Sequence, residues 1–201
     1  MRITGGHARG RRLLGPKGRF LRPTSDLVRE ALFQILHAHM ELPWESCNVL
    51  DLFAGTGALG IEALSRGVRQ VVFADHHGSA LDLIRRNLDL CGFKDRAKVI
   101  RADVRTNSKL LNRVLEYGPF NLIFADPPYS QGLGKRAMDW VVDSCALVPG
   151  GFVIIEEFKG EQLPLQAVSS DETKGKGEGT KSSLQLVDKR VYGQTELWFY
   201  R

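Results

Sequence analysis

The 201-residue sequence predicts an α/β protein. Its sheet should be doubly wound and mostly parallel, seven strands in all, closed by a C-terminal antiparallel hairpin and preceded by a small basic extension. Three observations carry this expectation. Between residues 47 and 158, apolar runs of strand length alternate with stretches of helix length, the order that builds βαβ units. The first strand breaks into a glycine-rich turn, Ala54-Gly-Thr-Gly-Ala-Leu-Gly60, before a helix. The last two strand-like segments, 183–192 and 195–200, are separated only by a short turn at Gly193.

The elements follow in order. A helix is expected from near Thr24, after Pro23, with Leu27, Val28, Ala31, Leu32, Ile35 and Leu36 on one apolar face. Strand 47–53 and helix 57–66 come next, the helix stopped by Gly67. Strand 70–75 leads to helix 79–90, stopped by Gly92. Strand 97–102 and a helix near 106–116 follow, then strand 120–125 and a helix near 134–147. Pro149-Gly150-Gly151 turns the chain into strand 152–158. Residues 169–183 are polar, glycine-rich and nearly charge-balanced, and read as a flexible loop. The expected organisation is a basic arm plus helix over 1–40 and a catalytic domain over 41–201.

Residues 55–60 match G-x-G-x-x-G, and Asp75 follows Gly55 at the spacing of a ribose-binding acid. The match admits two cofactors. A dehydrogenase would set a pyrophosphate on the turn, and a methyltransferase the amino-acid end of S-adenosylmethionine. Asp51, just before the turn, would repel a pyrophosphate and suits an ammonium or sulfonium group. Alternatively, Asp51 caps local backbone groups. A dehydrogenase would also need a second substrate domain, for which the chain has no room.

Asp126-Pro-Pro-Tyr129 closes the apolar strand 121–125. Two prolines fix two φ angles and remove two N–H donors. The result is a stiff corner that offers acceptors, the Asp126 carboxylate and nearby carbonyls, beside the flat ring of Tyr129. Acceptors with a stacking ring suit a planar group bearing an exocyclic amine, such as a nucleobase. The carboxyl ends of the first four expected parallel strands carry Asp51, Asp75, Asp103 and Asp126, on the edge where open α/β sheets bind ligands.

Asp51-Leu-Phe-Ala-Gly-Thr-Gly57 together with Asp126-Pro-Pro-Tyr129 resembles the class I S-adenosylmethionine methyltransferases that act on exocyclic amines. Arg22-Pro-Thr-Ser-Asp-Leu-Val-Arg-Glu-Ala-Leu-Phe33, Arg2-Ile-Thr-Gly-Gly6, Gly10-Arg11 and Tyr192-Gly-Gln-Thr195 narrow the resemblance to the bacterial RsmD family, which methylates N2 of a guanine in small-subunit (16S) rRNA. The resemblance runs from residue 2 to near the C-terminus. It implies a Rossmann-like domain with S-adenosylmethionine as cofactor. It implies a cofactor shell of Asp51, Phe53, Ala54, Gly55, Gly57, Asp75, His76, Asp103 and Val104. In that shell Asp75 would hold the ribose hydroxyls, Asp103 the adenine amine, and Asp51 with the 54–57 backbone the methionine part. Many relatives carry Glu where this chain has Asp75. It also implies a catalytic corner of Asp126, Pro127, Pro128 and Tyr129. The expected partner is small-subunit rRNA, free or within a 30S particle or assembly intermediate. The corner is shared with adenine-N6 and cytosine-N4 DNA methyltransferases. A non-catalytic RNA-binding or ribosome-assembly protein with this fold is the reading from another class.

Charge is uneven. The first thirty residues hold eight Arg or Lys against two acids, so they carry the whole net excess of +5 and more. A basic, glycine-rich arm is a footprint for phosphates, with Arg9, Arg11, Arg12, Arg19 and Arg22 as its candidate RNA contacts; a solvated tail is the plainer alternative. No apolar run approaches the roughly 20 residues of a membrane span, and residues 1–20 lack the apolar core of a signal peptide. Three scattered cysteines (Cys47, Cys91, Cys145) read as thiols of a reducing, cytoplasmic compartment. No His/Cys spacing resembles a metal site, and His76-His77 alone would read as a polar loop.

Overall fold

The computed structural model describes residues 1–16, 25–106, 109–129, 131–169 and 183–201, the side chains of 109 and 110 excepted. The parallel strands are β1 (Asn48–Leu52), β2 (Gln70–Asp75), β3 (Ala97–Arg101), β4 (Phe120–Ala125) and β5 (Leu147–Phe158). Three more strands are β6 (Gln166–Val168), β7 (Ser183–Tyr192) and β8 (Thr195–Tyr200). They form one eight-stranded sheet in the order β3-β2-β1-β4-β5-β8-β7-β6. The pairs from β3 to β5 are parallel, and β8 runs antiparallel between β5 and β7. The expected seven strands and the hairpin are all present. β6 is the addition: three residues, too short for a periodic signal, which pair with the start of β7.

The helices are α1 (Asp26–His39), α2 (Ala58–Ser65), α3 (Gly78–Cys91), α4 (Lys109–Asn112) and α5 (Leu133–Ser144). The helix expected near 106–116 is instead the single turn α4 followed by a 3-10 stretch, Arg113–Tyr117. One apolar core, with Phe33 and Leu36 of α1 and Ile61 and Leu64 of α2, lies under one sheet face. A second, with Ala137, Met138 and Val141 of α5, lies under the other.

Helix α1 starts at the Ser25 cap, whose hydroxyl accepts from Val28 N–H. Its buried face differs from the expected one. Leu27 is 72% exposed, whereas Arg29 is fully buried beside Val28, Leu32, Phe33 and Leu36. The reason is a carboxylate. Arg29 Nη2 meets Asp26 Oδ1 at 2.7 Å, and its Nε lies 3.4 Å from Oε2 of Glu62, itself fully buried. Arg66 Nε reaches the other Glu62 oxygen at 2.9 Å, and the backbone N–H groups of Thr4 and Gly5 donate to the same carboxylate at 2.8 Å. A buried charge persists only when paired and hydrogen-bonded in this way. The described part of the basic arm is thereby welded to α1 and α2. Ile3, Ala8 and Leu13 join the first apolar core, and Arg2 and Arg12 form an antiparallel bridge.

Candidate active site

Strand order reverses between β1 and β4. At such a switch point the carboxyl-end loops diverge and open a crevice. Leu52 of β1 is in register with Ala125 of β4, so the glycine turn and the Asp126 corner leave the sheet side by side. The two motifs singled out in the sequence, far apart along the chain, are therefore brought side by side at one candidate site.

On the β1 side, Gly55 and Gly57 adopt left-handed φ angles of 54° and 79°, and Phe53 is a non-glycine residue at φ 58°. Such a conformation at Phe53 costs energy that the surrounding bonds must offset. Those bonds are visible. Ala54 N–H donates to Ala74 O at 3.1 Å, and Gly55 N–H to Asp75 Oδ2 at 2.9 Å. Gly60 serves packing: a Cβ there would stand 2.3 Å from Phe73 Cε1, so helix α2 can lie this close to β2 only without one.

Asp51 is buried, and its Oδ2 accepts from Gly60 N–H at 2.9 Å in the first turn of α2. Burial, aided by repulsion from Asp75, pushes its carboxyl up to about 8 against the pull of that N–H. Asp51 thus does cap local backbone, which leaves one oxygen for a cationic ligand. Asp75 accepts from Gly55 N–H through one oxygen and from His77 N–H at 2.8 Å through the other. Each oxygen keeps a lone pair for a hydroxyl.

A cleft lies beside them, lined by Leu52, Phe53, Ala74, Asp75, His76, Ala102, Asp103 and Val104. Asp75 and Asp103, which the family resemblance assigns to the ribose and the base of an adenosine, both line this cleft among apolar walls. Asp103 is at present paired with Arg105, whose Nε and Nη2 reach its two oxygens at 2.9 and 2.7 Å, and that bond holds its carboxyl down at about 2. His76 lines the cleft with Nδ1 3.6 Å from Asp75 Oδ1, and burial lowers its pKa. The donors and acceptors present therefore fit S-adenosylmethionine.

On the β4 side, Asp126 and Tyr129 are half-buried, Pro127 is buried and Pro128 is exposed. Tyr129 is fixed. Its hydroxyl donates to Glu156 Oε1 at 3.3 Å, and its ring lies 5.6 Å from that of Phe158. Burial, with the Glu156 and Asp126 carboxylates nearby, pushes the phenol well above its ordinary range. Glu156 and Phe158 are site neighbours that the motif reading missed. Alternation along β5 puts both on the Tyr129 side, a signal legible only once β4 and β5 are known to be adjacent.

Of the arm residues, Arg9 and Arg12 are exposed. Arg11, also exposed, sends Nη1 to the carbonyl of Leu90 in the last turn of α3. Arg19 and Arg22 fall outside the described residues, as does the expected flexible loop except for its two end residues. Among the described residues no group of His, Cys, Asp and Glu could hold a metal ion, and no helix is long and apolar enough to cross a membrane.

The family described as conserved hypothetical protein 95 matches residues 1–201. The ribosomal RNA small subunit methyltransferase D of Escherichia coli K12 is 33% identical over 165 residues, which cover 82% of this chain and 78% of that one. Its Haemophilus influenzae counterpart is 31% identical over 164 residues, 81% of each. Among solved structures, a hypothetical protein of Thermus thermophilus superposes with a TM-score of 0.76 at 28% identity, over 99% of this chain and 98% of that one. A ribosomal protein L11 methylase from Lactobacillus delbrueckii, at 20% identity and a TM-score of 0.57, covers 84% of this chain and 75% of its own and shares the fold.

Proposed function

The chain belongs to the RsmD family, and from that membership and the geometry of the switch point we propose that it transfers a methyl group from S-adenosylmethionine to the N2 amine of a guanine in small-subunit rRNA. The observation that carries the proposal is the register of Leu52 with Ala125. That register puts the loop after β1, which helps line the cleft, beside the Asp126 corner after β4.

When bound, S-adenosylmethionine supplies an electrophilic methyl on a sulfonium. Asp75 and Asp103 orient the adenosine, and Asp51 with the 54–57 backbone receives the amino-acid end. The chain's task is then the amine. The guanine N2 lone pair is delocalised into the ring and is a poor nucleophile. Asp126 and the carbonyl on the Pro127 side accept its two N–H bonds, which localises the lone pair and aims it across the crevice. Orientation of this kind supplies up to about 7–11 kcal/mol of a barrier. Asp126 holds and positions; the methylated amine is acidic enough to lose its proton afterwards, so a base in the transition state is not required. Tyr129 stacks on a base turned out of its helix. The half-buried ring, fixed by Glu156 and Phe158, is preorganised for that contact.

Nucleoside mass spectrometry of small-subunit rRNA from cells with and without the gene tests the reading. Loss of one N2-methylguanosine in the deletion, restored by the wild-type gene but not by Asp126→Ala, is the expected result. An unchanged N2-methylguanosine level, or loss of N6-methyladenine instead, would overturn it.

A further inference from the structure

One buried amide joins the arm to the cofactor turn. Asn87, in the middle of α3, is fully buried. Its Nδ2 donates to Leu14 O at 3.1 Å and to Thr56 O at 2.9 Å, and its Oδ1 accepts from Leu14 N–H at 2.8 Å. The three bonds also fix the orientation of the amide, because the flipped group would set its oxygen against two carbonyls. Thr56 lies between the left-handed Gly55 and Gly57. The peptide plane that carries its carbonyl also carries Gly57 N–H, which donates to Ala54 O at 2.7 Å. That plane is therefore pinned from both sides, by Asn87 on the oxygen and by Ala54 on the nitrogen. Leu14 is pinned by the same side chain at both its N–H and its C=O. Ile3 and Leu13 of the arm share an apolar core with Ala54, Ile84 and Leu88. The packing between arm and turn is thus continuous.

We propose that Asn87 is a positioning residue that ties the N-terminal arm to the cofactor turn, so that cofactor binding and arm docking stabilise each other. The inference rests on the cofactor reading above. It adds that a ligand set on the 54–57 backbone orders the Thr56 carbonyl, that Asn87 passes this order to Leu14, and that whatever the arm grips feeds back on the cofactor with the same coupling. A buried amide left without one of its carbonyl partners is costly, so the two ends do not move independently.

The test uses the full chain, S-adenosylhomocysteine as the probe, and amide hydrogen exchange as the readout. In the wild type, saturating probe should slow exchange at residues 54–57 and, several-fold, at Leu14 and its arm neighbours, which do not line the cleft. In Asn87→Leu, close in volume, the arm should stop responding, and probe affinity should fall roughly tenfold through the lost bonds. Asn87→Asp gives a second, folded-state test. It keeps the acceptor for Leu14 N–H but sets a carboxylate oxygen against two carbonyls. Protonation of that buried acid restores a donor, so the gap in probe affinity between this variant and the wild type should narrow on acidification. Protection at 54–57 with an unchanged arm in the wild type would overturn the inference alone. Equal arm responses in wild type and Asn87→Leu would overturn the role of Asn87. Protection at neither place would sink the cofactor reading, and this inference with it.

Discussion

Tyr129 of the acceptor corner donates its hydroxyl to Glu156 Oε1 on the neighbouring strand at 3.3 Å. The ring proposed to stack on a target base is therefore held by its far end. Tyr129→Ala should lose most methyl transfer. Tyr129→Phe keeps the stacking face but drops the anchor, and a hydrogen bond of about 1 kcal/mol corresponds to a roughly fivefold fall in kcat/KM. Glu156→Gln retains an acceptor and should stay near wild type. Steady-state kinetics on rRNA measure all three, and a Phe variant equal to wild type would show that the ring needs no anchor.

Asp126 is the group proposed to hold the target amine. Asp126→Ala should abolish methyl transfer and leave S-adenosylhomocysteine affinity, read by calorimetry, within a few fold of wild type. The candidate cofactor cleft is lined at the carboxyl ends of β1, β2 and β3 and does not include this residue. Activity near wild type would remove Asp126 from the mechanism.

Much of this site was legible in the sequence because its elements are local. A strand, a glycine turn and a helix follow one another within twenty residues, and the acids fall at strand ends that apolar runs mark. What was not legible depends on contacts between distant segments. Leu27 is apolar and falls on the expected core face, yet it points to solvent, while the charged Arg29 is buried. Periodicity ranks side chains by polarity, and only the fold brings Glu62 to Arg29. The basic arm is another case. Its charge suggests an RNA footprint, but nothing local shows that Thr4 and Gly5 dock on a carboxylate 58 and 57 residues away. Arg11, counted among the phosphate contacts, already donates to a helix carbonyl.

Glu62 predicts a stability effect. It is fully buried between Arg29, Arg66 and the Thr4 and Gly5 amides. Removal of one partner from a buried charge cluster costs about 3–5 kcal/mol. Glu62→Ala should lower the midpoint of thermal or urea unfolding accordingly. Gly6→Ala should damage the same junction by another route. Its φ is +73°, and a Cβ would lie 1.9 Å from Ser65 O. The arm in that variant should become sensitive to proteolysis under conditions where wild type resists.

Asp51 predicts a pH dependence. Burial pushes its carboxyl up to about 8, so below that pH it carries a proton. An ammonium group set beside it favours the charged form and drives the proton off. Calorimetry at about pH 7, a unit below that value, in buffers of different ionisation enthalpy should therefore register proton release on S-adenosylhomocysteine binding, and affinity should rise as pH climbs toward about 8. Asp51→Asn should remove the release. The contribution to stability has the opposite slope. A carboxyl with a raised native pKa binds more protons folded than unfolded, so its contribution is full below about 4 and declines as pH rises to about 8. Unfolding midpoints across that window should fall less steeply in Asp51→Asn.

Arg9 and Arg12 are exposed on an arm that is itself docked, which fixes where their charges stand. A docked arm presents its guanidinium groups as a surface rather than as a tail, so they should act as phosphate contacts with little ordering cost. Each phosphate neutralised contributes about 0.7–0.9 to the slope of log affinity against log salt. Replacement of both arginines with Gln should therefore weaken rRNA binding and flatten that slope by roughly 1.5 units. Arg11 should behave differently. Because its Nη1 is spent on the Leu90 carbonyl, Arg11→Gln should loosen the arm against α3 and lower thermal stability while it changes the salt slope less than either neighbour. Filter binding across a salt series, with melting curves on the same proteins, separates the two kinds of arginine. Parallel slopes for wild type and the Arg9/Arg12 double variant would mean that the footprint lies on another surface.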